Sequence, residues 1–160
     1  MSAEKTHPIP QGFSTITPFL MAKNAAGLQR FLARAFDAET IYSINGLDGR
    51  VMHAQLRIGD AMVMLAGSMQ ERKGTPAALS LPLPMSLYIY APDVDGLYRR
   101  AIAAGASSVL QPADRLSGDR SAGVRDTEGN LWWIATHVED IAPDEIARRT
   151  IESESYCKAA

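Results

Sequence analysis

The chain's chemistry-bearing side chains begin with His53, which is followed at alternate positions by Gln55 and Arg57. In an extended strand these three share one face, while Met52, Ala54, Leu56 and Ile58 take the other. An imidazole with an ordinary pKa near 6.5 exchanges protons at neutral pH, so His53 is the candidate acid or base if that stripe lines a site. On a solvated sheet surface the same stripe is polar lining and nothing more. His137 stands close to Glu139 and Asp140, where a strand-end hydrogen bonder is the simpler reading, and His7 lies in a Pro-punctuated arm. These histidines and acids lack the close pairing of a metal motif, so their spacing points to no metal centre. Tyr88 and Tyr90 alternate with aliphatic residues and carry hydroxyls that need partners. Asp119 and Arg120 either brace a loop as an ion pair or leave Arg120 free to hold a carboxylate or phosphate in its planar fork.

Length and composition bound what these groups can serve. With 160 residues, 46% of them apolar, the chain suffices for one domain, or for two small halves that share a core. A formal net charge of −2 offers no broad positive field for a polyanion. Nucleic acid and membrane are therefore poor partners, and a small organic molecule is the expected one. Cys157 is the single cysteine, which excludes an internal disulfide and a thiolate metal cluster and fits a reducing cytoplasm. Met1–Gln11 has no apolar run to act as a signal h-region, and no window approaches the roughly 20 apolar residues that span a bilayer.

The elements that must position these residues follow from periodicity. Residues 1–12 read as a loosely held arm, and Phe13–Ala22 as a strand with Thr15, Thr17, Phe19 and Met21 on one face and Pro18 near an edge or bulge. Asn24 caps a helix whose Leu28, Phe31, Leu32, Ala35 and Phe36 recur at helical spacing, ending near Asp37. Strands follow at Thr40–Ile44, Val51–Ile58 and Ala61–Ala66, the last two joined by a tight Gly59-Asp60 turn. After a connector at about 67–84, Met85–Ala91 forms a strand, Asp93 caps a helix to about Ala104, and Ser107–Leu110 returns to strand. Ala142–Arg149 has Pro and acids first and bases later, which suits a C-terminal helix.

The second half repeats the first. A shift of 69 positions lays Gly96-Leu97-Tyr98-Arg99 on Gly27-Leu28-Gln29-Arg30, and Asp93 on Asn24. Two βαβββ modules, about 13–67 and 84–138, give an α+β fold in which a cleft-shaped mixed sheet occupies 13–140, followed by a helix and tail at 141–160.

The paired modules, the hairpin Val124-Arg125-Asp126 to Gly129-Asn130, and Ala104-Gly105-Ala106 together resemble the vicinal oxygen chelate superfamily of glyoxalase, bleomycin-resistance and dioxygenase proteins. Within it, Val51–Asp60 and Gly118–Ser121 resemble the PhnB-like branch. The resemblance places four metal-ligand positions at Thr17, Met64, Ser86 and Trp133, where metal-dependent members carry His or Glu. Two hydroxyls, a thioether and an indole are a poor set for a hard divalent ion. The resemblance thus implies an inherited metal centre that is absent, with no cofactor, and puts glyoxalase and dioxygenase chemistry in doubt.

What such a cleft would keep is a lining of Thr17, Phe19, Met62 and Met64, then Ser86, Tyr88, Tyr90 and Trp133, with Gln55 and Arg57 if their stripe faces it. Rings, thioethers and a few hydroxyls suit an aromatic or amphipathic organic ligand. The expected function is metal-free small-molecule binding. A metal-independent isomerase, cyclase or lyase with His53 as acid/base is the alternative, and a metal-dependent enzyme the third. The superfamily resemblance also implies a homodimer.

Overall fold

The computed structural model describes residues 8–67 and 84–159, with side chains as far as residue 153. His7 and all but the ends of the expected connector lie outside the described residues, as does the side chain of Cys157. The elements run β1 (Phe19–Ala22), α1 (Ala25–Phe36), β2 (Glu39–Asn45), β3 (Val51–Ile58), β4 (Ala61–Gly67), β5 (Ser86–Tyr90), α2 (Val94–Ala103), β6 (Ser107–Asp114), β7 (Asp119–Arg125), β8 (Leu131–His137) and α3 (Pro143–Ala159). They form two units, one of the residues up to Met85 with Thr127–Gly129, the other of Ser86–Asp126 and the chain from Asn130 onward.

Each unit is one βαβββ module, and the two have the same topology: one sheet in the order β1-β4-β3-β2, the other in the order β5-β8-β7-β6. β1 runs parallel to β4 and β5 parallel to β8, while the remaining neighbours are antiparallel. The repeat read from Gly27 and Gly96 is therefore a repeat of fold.

The shared glycines also have a local cause. Asn24 Oδ1 accepts the N–H of Gly27 at 2.9 Å, and Asp93 Oδ1 accepts that of Gly96 at 2.9 Å. A Cβ on either glycine would overlap the capping side chain itself, so the tight cap and the glycine go together. Replacing Asn24 or Asp93 by Ala should each cost about 1 kcal/mol, read as a shift in the urea midpoint at constant m-value. In the first unit Glu128 adds to the cap by accepting the backbone N–H groups of Lys23 and Asn24 at 2.7 and 3.1 Å. Asp37 closes α1 in a left-handed conformation, φ 53°, its N–H returning to Leu32.

One face of each sheet lies under its helix. Leu28, Phe31, Leu32, Ala35 and Phe36 of α1 are buried with Leu20, Ala54, Leu56, Val63 and Leu65 of the first sheet. Val94 and Ala101 of α2 are buried with Ala122, Val124, Trp132 and Ile134 of the second. Strand alternation then turns the intervening residues to the face without a helix.

The first strand is shorter than its sequence pattern implies. Pro18 has no N–H for the ladder, although its carbonyl still accepts from Met64 N–H at 2.9 Å. Upstream, Ser14 Oγ donates to the Ile16 carbonyl and Thr17 Oγ1 to the Ser14 carbonyl, so local side-chain turns replace strand pairing. β6 errs the other way, extending to Asp114 through Pro112 with two register shifts, as an edge strand permits.

Candidate functional site

On the helix-free face of the first sheet, Phe19, Met64, Gln55 and Tyr42 stand side by side in register across β1, β4, β3 and β2. His53 lies one pleat along, its ring centroid 6.1 Å from that of Phe19 and 5.9 Å from that of Tyr42. Among the described residues, the imidazole meets rings rather than a carboxylate. Met62, on the same face as Met64 by alternation, is 7% exposed, whereas Met64 is half-buried. Arg57 is paired across the strands with Glu39, an exposed ion pair.

The second sheet repeats this row with Tyr88, Trp133, Gly123 and Leu110 across β5, β8, β7 and β6. Phe19 and Tyr88 are related by the same 69-residue shift as Met64 and Trp133, and Phe19 is the register neighbour of Met64 as Tyr88 is of Trp133. Thr17 and Ser86 share that relation too, yet Ser86 is in β5 opposite Leu131 whereas Thr17 precedes β1. Thr17 therefore leaves the sheet row expected of it. No residue of the four supplies an imidazole nitrogen or a carboxylate oxygen, so they do not fit a hard divalent ion.

Gly123 lets the Trp133 indole lie over β7, because a Cβ there would come within 3.0 Å of the ring. Gly123→Ala should tilt the indole, cost about 1–2 kcal/mol and shift the tryptophan emission.

The residues whose sequence reading changes most are Asp119, Arg120 and His137. Adjacent on β7, Asp119 and Arg120 face opposite sides of the sheet, and they do not pair. Arg120 turns to the helix side, where Nε and Nη2 donate to the two oxygens of Asp95 at 2.7 and 2.9 Å and Nη1 to Asp114 at 3.1 Å. This fork holds the Asp95 carboxyl below its usual range and is already spent, so Arg120 braces α2 to the sheet rather than waiting for an anion.

Asp119 is 8% exposed and lies on the helix-free face. Its Oδ2 accepts from Tyr88 and Tyr90 hydroxyls at 3.4 and 3.2 Å, and its Oδ1 is 2.8 Å from His137 Nδ1. The other ring nitrogen of His137 is 2.9 Å from Asp140 Oδ1. Burial first, then the Asp119 charge, raises the Tyr88 hydroxyl above its usual value, and for Tyr90 the hydrogen bond to Asp119 leads. Both phenols stay protonated at neutral pH. The cluster was hidden in the sequence because its members come from β5, β7, β8 and the segment after β8. The register pair Asp119 and His137 was the one signal available.

Contacts with Asp140, then Asp119, raise the His137 pKa. The folded chain thus holds this proton more tightly than the unfolded one. The stabilisation is complete below the ordinary value near 6.5 and is lost as pH rises through the raised folded value. Melting temperature should fall across that window, and His137→Gln should remove this component of the slope.

Comparison with known proteins matches residues 15–134 to the sequence model of the Glyoxalase/Bleomycin resistance protein/Dioxygenase superfamily. Uncharacterized proteins of Mycobacterium bovis and Mycobacterium tuberculosis are 35% identical over 135 residues, covering 82% of this chain and 88% and 79% of theirs. Among solved structures, TioX from Micromonospora sp. ML1 has a TM-score of 0.65 at 26% identity, covering 78% of this chain and 99% of that one. The fosfomycin resistance protein FosX from Listeria monocytogenes has a TM-score of 0.55 at 18% identity, over 83% of this chain and 97% of that one, a likeness of fold.

Proposed function

Because the chain belongs to the glyoxalase/bleomycin resistance protein/dioxygenase superfamily, we propose that it binds an aromatic or amphipathic organic molecule without using a metal. The observation that carries this reading is the repeated register pair, Phe19 with Met64 and Tyr88 with Trp133. Of the four positions where the family resemblance calls for metal donors, Met64 and Trp133 carry side chains that grip carbon skeletons, and Thr17 and Ser86 carry hydroxyls. His53, packed between Phe19 and Tyr42, serves better as part of an aromatic wall than as a proton carrier. The PhnB-like motifs Val51–Asp60 and Gly118–Ser121 support a place in that branch of the family. Among the described residues no helix is long and apolar enough to cross a membrane. A cytoplasmic location is part of the proposal. A homodimer remains part of the proposal.

The test is a titration with the neutral dye N-phenyl-1-naphthylamine and a panel of aromatic compounds, with and without added Zn²⁺ or Mn²⁺. Saturable, metal-independent quenching of tryptophan emission supports the reading. Binding that appears only with the cation, or no binding at all, overturns it.

A further inference from the structure

We infer that the end of the second sheet formed by Tyr88, Tyr90 and Asp119 receives the amino group of an aryl-alkyl amine whose ring lies along Trp133 and Tyr88. The inference rests on the binding reading above and narrows its ligand class.

Hydrogen-bond polarity carries it. Both tyrosine hydroxyls donate inward to Asp119, so the phenol oxygens present their lone pairs outward. At 3.4 and 3.2 Å these bonds are longer than the roughly 2.7–2.8 Å typical of O–H···O contacts, and a stronger donor can displace them. The cationic donors nearby already have partners. His137 has Asp119 itself at Nδ1 and Asp140 at Nε2. Arg115 donates through Nε and Nη2 to Ser121 at 2.9 and 3.0 Å, and Arg120 faces the other side of the sheet. What remains toward a ligand is the two phenol oxygens, acceptors backed by the nearly buried Asp119 carboxylate to which their hydroxyls donate.

Ring geometry agrees. Tyr88 and Tyr90 have centroids 5.1 Å apart, inclined at 45°, and are 50% and 64% exposed. Their faces attract an ammonium through the ring quadrupole. Trp133, beside Tyr88 in register, gives the apolar body a surface to lie on. A carboxylate ligand placed the same way would meet Asp119 and the phenol oxygens with the wrong sign.

Calorimetric titration should compare 2-phenylethylamine with 3-phenylpropanoate, which share the ring and differ in the sign of the terminal group. The amine is expected to bind about tenfold more tightly. Asp119→Asn should abolish that preference, and Tyr90→Phe, which removes an exposed hydroxyl without burying a new group, should reduce it severalfold. Equal binding of both compounds, or tighter binding of the carboxylate, overturns the amine assignment while leaving the small-molecule reading standing. Binding of neither also overturns the assignment, and the dye titration above then decides separately whether the broader reading survives. An amine preference that persists in both variants places the site elsewhere and equally overturns the inference.

Discussion

Asp126→Ala is expected to destabilise the protein by about 3–5 kcal/mol, the largest single effect anticipated here. Asp126 is 4% exposed and accepts the backbone N–H of Asn130 at 3.0 Å, the Asn130 amide at 2.9 Å and the Trp132 indole N–H at 2.8 Å. Asn130 and Trp132 are each 2% exposed, so water cannot replace the lost acceptor. Each buried donor deprived of this bond costs about 1–3 kcal/mol, and three share the one carboxylate. Asp126→Asn should be milder, since one oxygen remains, but it turns an NH₂ toward donors. Urea unfolding of Asp126→Ala, Trp132→Phe and the double variant should give a coupling energy of at least about 1 kcal/mol. A loss below about 1 kcal/mol in Asp126→Ala would mean that the carboxylate is dispensable to the hairpin.

That network shows what the motif Arg125-Asp126 to Gly129-Asn130 does in this chain: it ties the hairpin closed and fastens Trp132 beneath α2. The family resemblance was legible there because loop closure is encoded within five consecutive residues. The helix caps were legible for the same reason, each resting on Asn24 or Asp93 and a glycine three positions on. β3 and β4 were also plain, joined by Gly59 at φ 58° with alternating faces on either side. Where the sequence misled, a distant or competing partner decided. Phe13–Thr17 has strand composition, yet hydroxyls within the segment captured its carbonyls before the sheet was reached. Arg120 looked bound to its neighbour, but its acid lies 25 positions away on α2. His137 looked like a strand end and is one, although its ring also joins Asp119, which is 18 positions away. Local chemistry set the elements, while the polar side of the candidate site was assembled by strand register, which no single segment reveals.

The double variant Tyr88→Ala/Trp133→Ala should weaken binding of N-phenyl-1-naphthylamine by about 100-fold while leaving the fold intact. Removing an aromatic side chain from a ligand contact forfeits about 1.5–3 kcal/mol, roughly a tenfold loss per ring at the lower bound. The rings adjoin in register, so their losses are coupled, and the single variants bracket the total. Neither ring is fully buried in the free chain, which keeps the stability loss well below that of a core truncation. Leu116→Ala provides the control, because Leu116 is 44% exposed and lies between β6 and β7, outside the Tyr88–Trp133 row. Dye displacement, monitored by dye emission because the double variant lacks one of the two tryptophans, separates the outcomes. If Leu116→Ala weakens binding as much as the double variant does, the dye reports exposed apolar surface in general. If the double variant binds like the native chain, the row of rings is not the binding surface, and the functional reading built on it falls.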